Sequence, residues 1–339
     1  MSTRKAIVAA LLLLGGCAQP RDFSALMPLS DDEFWHLATM LSEPAGTFDL
    51  SDNLVSNERQ YAQLAGRIRV RGGVYIGVGP EQNFSYIAHI QPALAFIVDI
   101  RPENRHLHLM YKALFELAAD RSDFVARLFS RERPAGLGAD PSVDELFDIL
   151  AWQPPLSRMR DDTRQRIRAL LTDMQGFPLT PEDLASIDAT LEAFFVEGPA
   201  IRYGRSLPSR ETQPTYRALM TVRDVSGVPR SFLASDELFA YVKELQRRNL
   251  VVPVVGDFAG PVSIREIGAA ARQRGLKVSA FYGSNVEVHL NRDQRRTFCR
   301  SVETLPWDAE TVFIASDEIH TLEAKLAACG NIPPSLHWP

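Results

Sequence analysis

Apolar positions along this chain follow two rhythms. Short runs rich in valine, isoleucine and aromatic residues alternate with longer stretches in which apolar residues recur every three or four positions, so strands are expected to alternate with helices. The segment from Gly72 to Phe115 carries the pattern most clearly. Val74, Tyr75 and Ile76 begin an apolar run that stops at Gly77-Val78-Gly79, Asn83 is placed to cap a short helix, and a second apolar run ends at Asp99. The sequence therefore predicts strand, glycine turn, helix and strand, with an acid at the tip of the second strand.

Elsewhere the same reading gives an ordered list. Ser30 caps an amphipathic helix over Asp31 to Leu41, with Phe34, Leu37 and Leu41 at helical spacing. The tract from Ser42 to Tyr61 is dense in turn formers and polar residues. Its composition favours a solvated loop over an arm folded across a site; Asp52, Asn53, Asn57 and Glu58 are its candidates in the second case. A helix over His106 to Ala119 presents Leu107, Met110, Tyr111, Leu114, Leu117 and Ala118 on one face. His106 and His108, two apart, are read as solvated or capping residues, not metal ligands. Residues 120–216 read as helical throughout, an insertion lying over the sheet's carboxyl edge with solvated charges. Strands return at LVVPVVGD, LKVSAFYGSN and TVFIAS, with helices between them, and Pro253 points to an edge or a bulge in the first of these. The architecture expected is α/β, a mostly parallel sheet with helices on both faces.

Parallel sheets bind ligands beyond the carboxyl ends of their strands. Residues 77–83, Asp99, residues 256–260 and residues 282–287 are such tips, and they are expected to converge on one crevice. Asp99 follows Gly79 by 20 positions, the spacing at which a carboxylate meets ribose hydroxyls, although the third glycine of the dinucleotide fingerprint falls at Gln82. Asp257 or Glu287, beside Asn285 and Tyr282, can orient a nucleophile or take its proton. No phosphate loop, zinc helix motif or nucleophile elbow occurs, and no metal is expected.

Composition changes this picture little. With 339 residues, 45% hydrophobic and 23% charged, the chain is an ordinary globular one. Its formal charge of −5 and the absence of a basic stripe argue against nucleic acid as partner.

The N-terminus matters more. Arg4 and Lys5 precede an apolar run from Ala6 to Leu14, too short to span a bilayer, and Leu14-Gly15-Gly16-Cys17 follows. That tetrad resembles the lipobox of bacterial lipoproteins. The resemblance implies a signal peptide over residues 1–16, acylation of Cys17, a tether over residues 17–30, and one domain over residues 31–339. With Ala18 next, it implies a lipid anchor in the outer membrane facing the periplasm; a misread signal would leave the protein cytoplasmic. Export leaves Cys299 and Cys329 as an even pair able to form one disulfide.

The blocks GGVYIGVGPEQNFSYIA, AFIVDIRPEN, SFLAS, VVPVVGDFAGP and FYGSNVEVHL, with SEPAGTFDLSDNLVSNE upstream, resemble an uncharacterised bacterial family whose core is similar to class I S-adenosylmethionine-dependent methyltransferases. The resemblance implies a Rossmann-like sheet. It implies that Gly77 and Gly79 border the cofactor together with Glu81, Gln82 and Asn83, and that Asp99 binds the ribose. Asp257, Tyr282, Asn285 and Glu287 then stand at the transfer centre. The chain departs from the pattern with Tyr75 where an acid belongs, Glu81 at the third glycine and no Asn/Asp-Pro-Pro-Tyr motif. Two functions follow: a transferase using S-adenosylmethionine, or a non-catalytic lipoprotein binding a small molecule or a partner's segment in a degenerate crevice.

Overall fold

A computed structural model of the chain describes residues 27–48, 53–134, 136–138, 140–205 and 207–329. The leader, Cys17 and Asp52 lie outside them.

In chain order, α1 (Asp31–Met40) and α2 (Tyr61–Arg67) precede β1 (Val74–Val78), α3 (Gln82–Ile90), β2 (Leu94–Asp99) and α4 (Pro102–Leu117). Helices α5 (Arg121–Leu128), α6 (Val143–Trp152), α7 (Ser157–Arg168), α8 (Pro181–Glu197) and α9 (Tyr216–Thr221) form the insertion. Then come α10 (Asp236–Arg247), β3 (Val251–Val255), α11 (Ser263–Gln273), β4 (Val278–Ser284), α12 (Arg292–Glu303), β5 (Val312–Ala315), β6 (Ile319–Thr321) and α13 (Leu322–Cys329).

The protein is α/β, and its sheet has the order β3-β2-β1-β4-β5-β6. The first five strands run parallel and β6 pairs antiparallel with β5. Every residue of β2 and β3 is buried, as parallel strands covered on both faces must be. Alternation along β4 shows the two layers: Phe281 meets Phe298 of α12, while its neighbour Tyr282 meets Tyr86 of α3. Pro253 sits on β3, an edge strand of the sheet, where its missing N–H leaves no ladder bond unmade on the open side.

Helix starts follow their sequence signals. Ser30 and Thr180 cap α1 and α8, each with a reciprocal acid three residues on. Cys299 and Cys329 form a disulfide that ties α12 to α13, with Cα atoms 6.1 Å apart.

Two expectations fail. The insertion packs against α4 through α5, α7 and α8, so it flanks the sheet more than it covers the carboxyl edge. Because α4 is enclosed between the sheet and the insertion, His106 and His108 are buried, not solvated. His106 Nε2 lies 2.7 Å from Asp183 Oδ1 on α8.

Candidate functional site

The sheet order reverses between β1 and β4, and the strand tips there open a crevice of about 280 Å³. Such a reversal is where neighbouring loops diverge and leave room for a ligand. All four expected tips reach it: Gly79 after β1, Asp99 at the end of β2, Asp257 after β3, and Tyr282 with Asn285 from β4. Gly77, Glu81, Gln82, Asn83 and Glu287 do not line it.

The upstream polar tract is an arm and not a solvated loop. Residues Ser42 to Phe48 cross the ends of β3 and β2, with Glu43 N donating to Val255 O (2.8 Å), Gly46 N to Ile100 O (3.0 Å) and Val255 N to Ser42 Oγ (3.0 Å). The Glu43 carboxylate accepts from the backbone N–H groups of Val262 and Ser263 (2.8 Å) at the start of α11, and from that of Asp257 (3.2 Å) in the turn after β3. A side chain on Gly260 would put its Cβ 1.9 Å from Glu43 Oε2. The arm's carboxylate therefore fills the place where that helix terminus attracts an anion.

The glycine turn is also closed by the protein itself. Asn83 caps no helix. Its amide donates to the carbonyls of Val78 (2.9 Å), Gly79 (3.1 Å) and Pro80 (2.7 Å), and its Oδ1 accepts from Tyr75 Oη (2.9 Å). Gly77 is needed beneath this latch, since a Cβ there would lie 1.9 Å from Asn83 Oδ1. Gly79, with φ +77°, is the residue that turns the backbone, and open space surrounds it. Its carbonyl takes a second partner in His108 Nε2 (2.8 Å). Burial holds His108 down to a pKa of about 4, so the ring is neutral and donates.

Asp99 stands at the tip of β2 as expected, but it is engaged. Oδ1 accepts from Arg101 N (3.0 Å) and Nε (2.9 Å), and Oδ2 from Arg101 Nη2 (2.9 Å), with both side chains under a tenth exposed. A planar fork of this kind presents to the carboxylate the same two donors that a ribose diol would.

Glu81 points away from the crevice into the core, where its oxygens accept from Ser56 N (3.2 and 3.3 Å). Burial pushes its pKa up to about 8, which keeps it protonated at neutral pH.

Glu58 stands in the crevice wall as well. Glu58 accepts from Gln82 Nε2 (2.9 Å) and from Ser284 Oγ, and Gln82 Nε2 also donates to Tyr282 Oη (3.0 Å). Gln82 Oε1 in turn accepts from Ser56 Oγ. Burial raises the Glu58 pKa against the opposing pull of these donors. Ser284 sits at φ +49°, beside the point where the β4–β5 register shifts. A non-glycine residue held in that region costs energy, and such residues gather at functional sites. So Gln82 and Tyr282 act here through Glu58, which sequence reasoning named only within a loop.

Of the remaining expected residues, Asp257 Oδ1 accepts from Ala259 N (2.8 Å), and Asn285 is exposed at the rim. Glu287 forms an ion pair with Lys325 on α13 and its carbonyl accepts from Arg295, which removes it from any transfer centre. The sequence reading missed Arg101, Phe48, Tyr203 and His289, all of which line the crevice. Phe48 and His289 meet edge to face at 5.1 Å, and Tyr203 comes from the insertion. The Asp-x-Arg spacing after β2 was the one available signal for Arg101. Among the described residues, no group of three His, Cys, Asp or Glu side chains is disposed to hold a metal ion, and no helix is long and apolar enough to cross a membrane.

Fold and crevice together define an α/β protein with a six-stranded, mostly parallel sheet and a polar cleft at its carboxyl ends. The chain belongs to the DUF7790 family, described as a domain of unknown function, whose model matches residues 53–136 and 159–327. Among curated proteins no sequence matches it.

Proposed function

We propose that this is a lipoprotein with a Rossmann-like, methyltransferase-like α/β domain, anchored through Cys17 in the cell envelope, whose crevice binds a small molecule without methyl transfer. The observation that carries this reading is the Asp99–Arg101 pair: the acid that would take the ribose hydroxyls of S-adenosylmethionine already accepts three hydrogen bonds from its neighbour. Tyr75, in the place of the first acid, is tied to Asn83, and Glu81 is turned into the core. The Cys299–Cys329 disulfide suits an oxidising compartment and supports export.

A transferase using S-adenosylmethionine is the second reading. What favours it is Glu58, a carboxyl of raised pKa in a cleft beside Tyr282 and the strained Ser284, a setting suited to proton transfer.

Thermal unfolding of the purified protein with S-adenosylmethionine or S-adenosylhomocysteine separates the two. At millimolar nucleoside the binding-protein reading expects no rise in Tm. A rise that Asp99→Ala abolishes establishes the transferase reading instead. Incorporation of a fatty-acid analogue in cells, absent in Cys17→Ser, tests the anchor.

A further inference from the structure

The chemistry left open in the crevice is one-sided. Among the described residues three carboxyl groups line it, Glu58, Asp99 and Asp257, and Arg101 is paired with Asp99. Among the described residues no lysine or arginine pairs with Glu58 or Asp257; their partners are the neutral donors already described. Asn53 adds an independent sign. It is 7% exposed, it lines the crevice, and its Oδ1 has no hydrogen-bond donor. A buried carbonyl oxygen without a donor is uncommon, and a ligand N–H group would satisfy it.

The places where an anion would bind are filled or disarmed. Glu43 occupies the N-terminus of α11. In the glycine turn Pro80 offers no N–H, while Asn83 draws the carbonyls together. A phosphate or carboxylate entering here would meet two acids and no unpaired terminus. Phe48, Tyr203 and His289 supply ring edges and faces along the wall, which suit an organic cation or a flat apolar body.

We infer that the crevice selects a small organic amine, its ammonium seated among Glu58, Asn53 and Asp257 and its apolar part against Phe48 and Tyr203. This rests on the reading of the crevice as a ligand site and goes further by naming the ligand's charge. Three probes sharing one ring and differing in the head group test it by calorimetric titration of the full chain: 2-phenylethylamine, 2-phenylethanol and 3-phenylpropionate. The amine binds roughly tenfold or more tighter than the alcohol, a difference of one charge-assisted contact, and the acid gives no heat. Glu58→Gln brings the amine down to the level of the alcohol. Asn53→Asp, which keeps the side-chain shape and adds an anion, tightens the amine and leaves the alcohol unchanged.

The inference is overturned if the alcohol or the acid binds as well as the amine, if Asn53→Asp leaves amine affinity unchanged, or if none of the three binds. The crevice reading itself falls separately, only if adenosine and simple polyols also fail to bind.

Discussion

The two sides of the crevice rim are built from similar residues and end in opposite states. On the side of β1, β2 and α11, each polar group that could greet a nucleotide has a partner from the chain itself: Asp99 has Arg101, the glycine turn has Asn83, and the start of α11 has Glu43. On the side of the arm and β4, Glu58 is held by neutral donors only and Asn53 Oδ1 has none. The glycine turn and the strand-tip acid are parts of the scaffold in this protein, whereas the open chemistry belongs to the polar arm that crosses them.

That contrast is breakable by substitution. Arg101→Ala strands a buried carboxylate at Asp99 and is expected to lower stability by about 3 kcal/mol or more in urea unfolding, because the remaining charge has no solvent. Glu58→Gln keeps its hydrogen-bonding shape and is expected to change stability by less than about 1 kcal/mol, within the range of conservative polar changes. Equal losses in the two variants would erase the distinction between a sealed and an open side.

A pH titration sharpens it. Glu81 is raised from 4.5 to about 8 by burial, so between those values the folded chain keeps a proton that the unfolded chain has released. Stability therefore falls as pH rises through that window and levels off above it. Glu81→Gln is expected to flatten this limb and to melt higher than wild type at pH 8. His108 acts in the opposite sense: its pKa, lowered from 6.5 to about 4, costs stability as pH falls between those values. A Glu81→Gln curve parallel to wild type would mean that the acid is not buried as described.

Smaller effects than that of Arg101→Ala separate the two glycines. Gly77→Ala drives a methyl against the Asn83 latch and is expected to cost about 2 kcal/mol. Gly79→Ala meets open space and carries only the penalty of its positive φ, roughly 1 kcal/mol. Thermal unfolding ranks them; the reverse order would show that the turn and not the latch holds this side together.

Much of the scaffold was legible in the sequence because apolar runs report burial directly. Residues 74–78 and 94–99 are strands where the β-branched pattern put them, and Pro253 marked an edge. Strand β6 was not legible, since Ile319-His320-Thr321 carries no apolar run and becomes a strand by pairing with β5. His106 and His108 misled because their polarity suggests solvent, while tertiary packing buries both, His106 against Asp183 of α8 and His108 against Phe84 and the Gly79 carbonyl. The site was half visible. Strand tips such as Asp99, Asp257 and Tyr282 follow from periodicity, but the arm's role does not. Turn-rich composition is the same for a solvated loop and for a segment whose partners, such as Ser263 for Glu43, lie more than two hundred positions away.

Hydrogen exchange read by mass spectrometry, with 2-phenylethylamine and S-adenosylhomocysteine compared on the same protein, distinguishes an open arm side from an open glycine turn. Slowed exchange is predicted across residues 53–58 and 284–290 with the amine, and no change across residues 77–83 with either compound. Protection of 77–83 by S-adenosylhomocysteine, with 53–58 unaffected by the amine, would contradict the account.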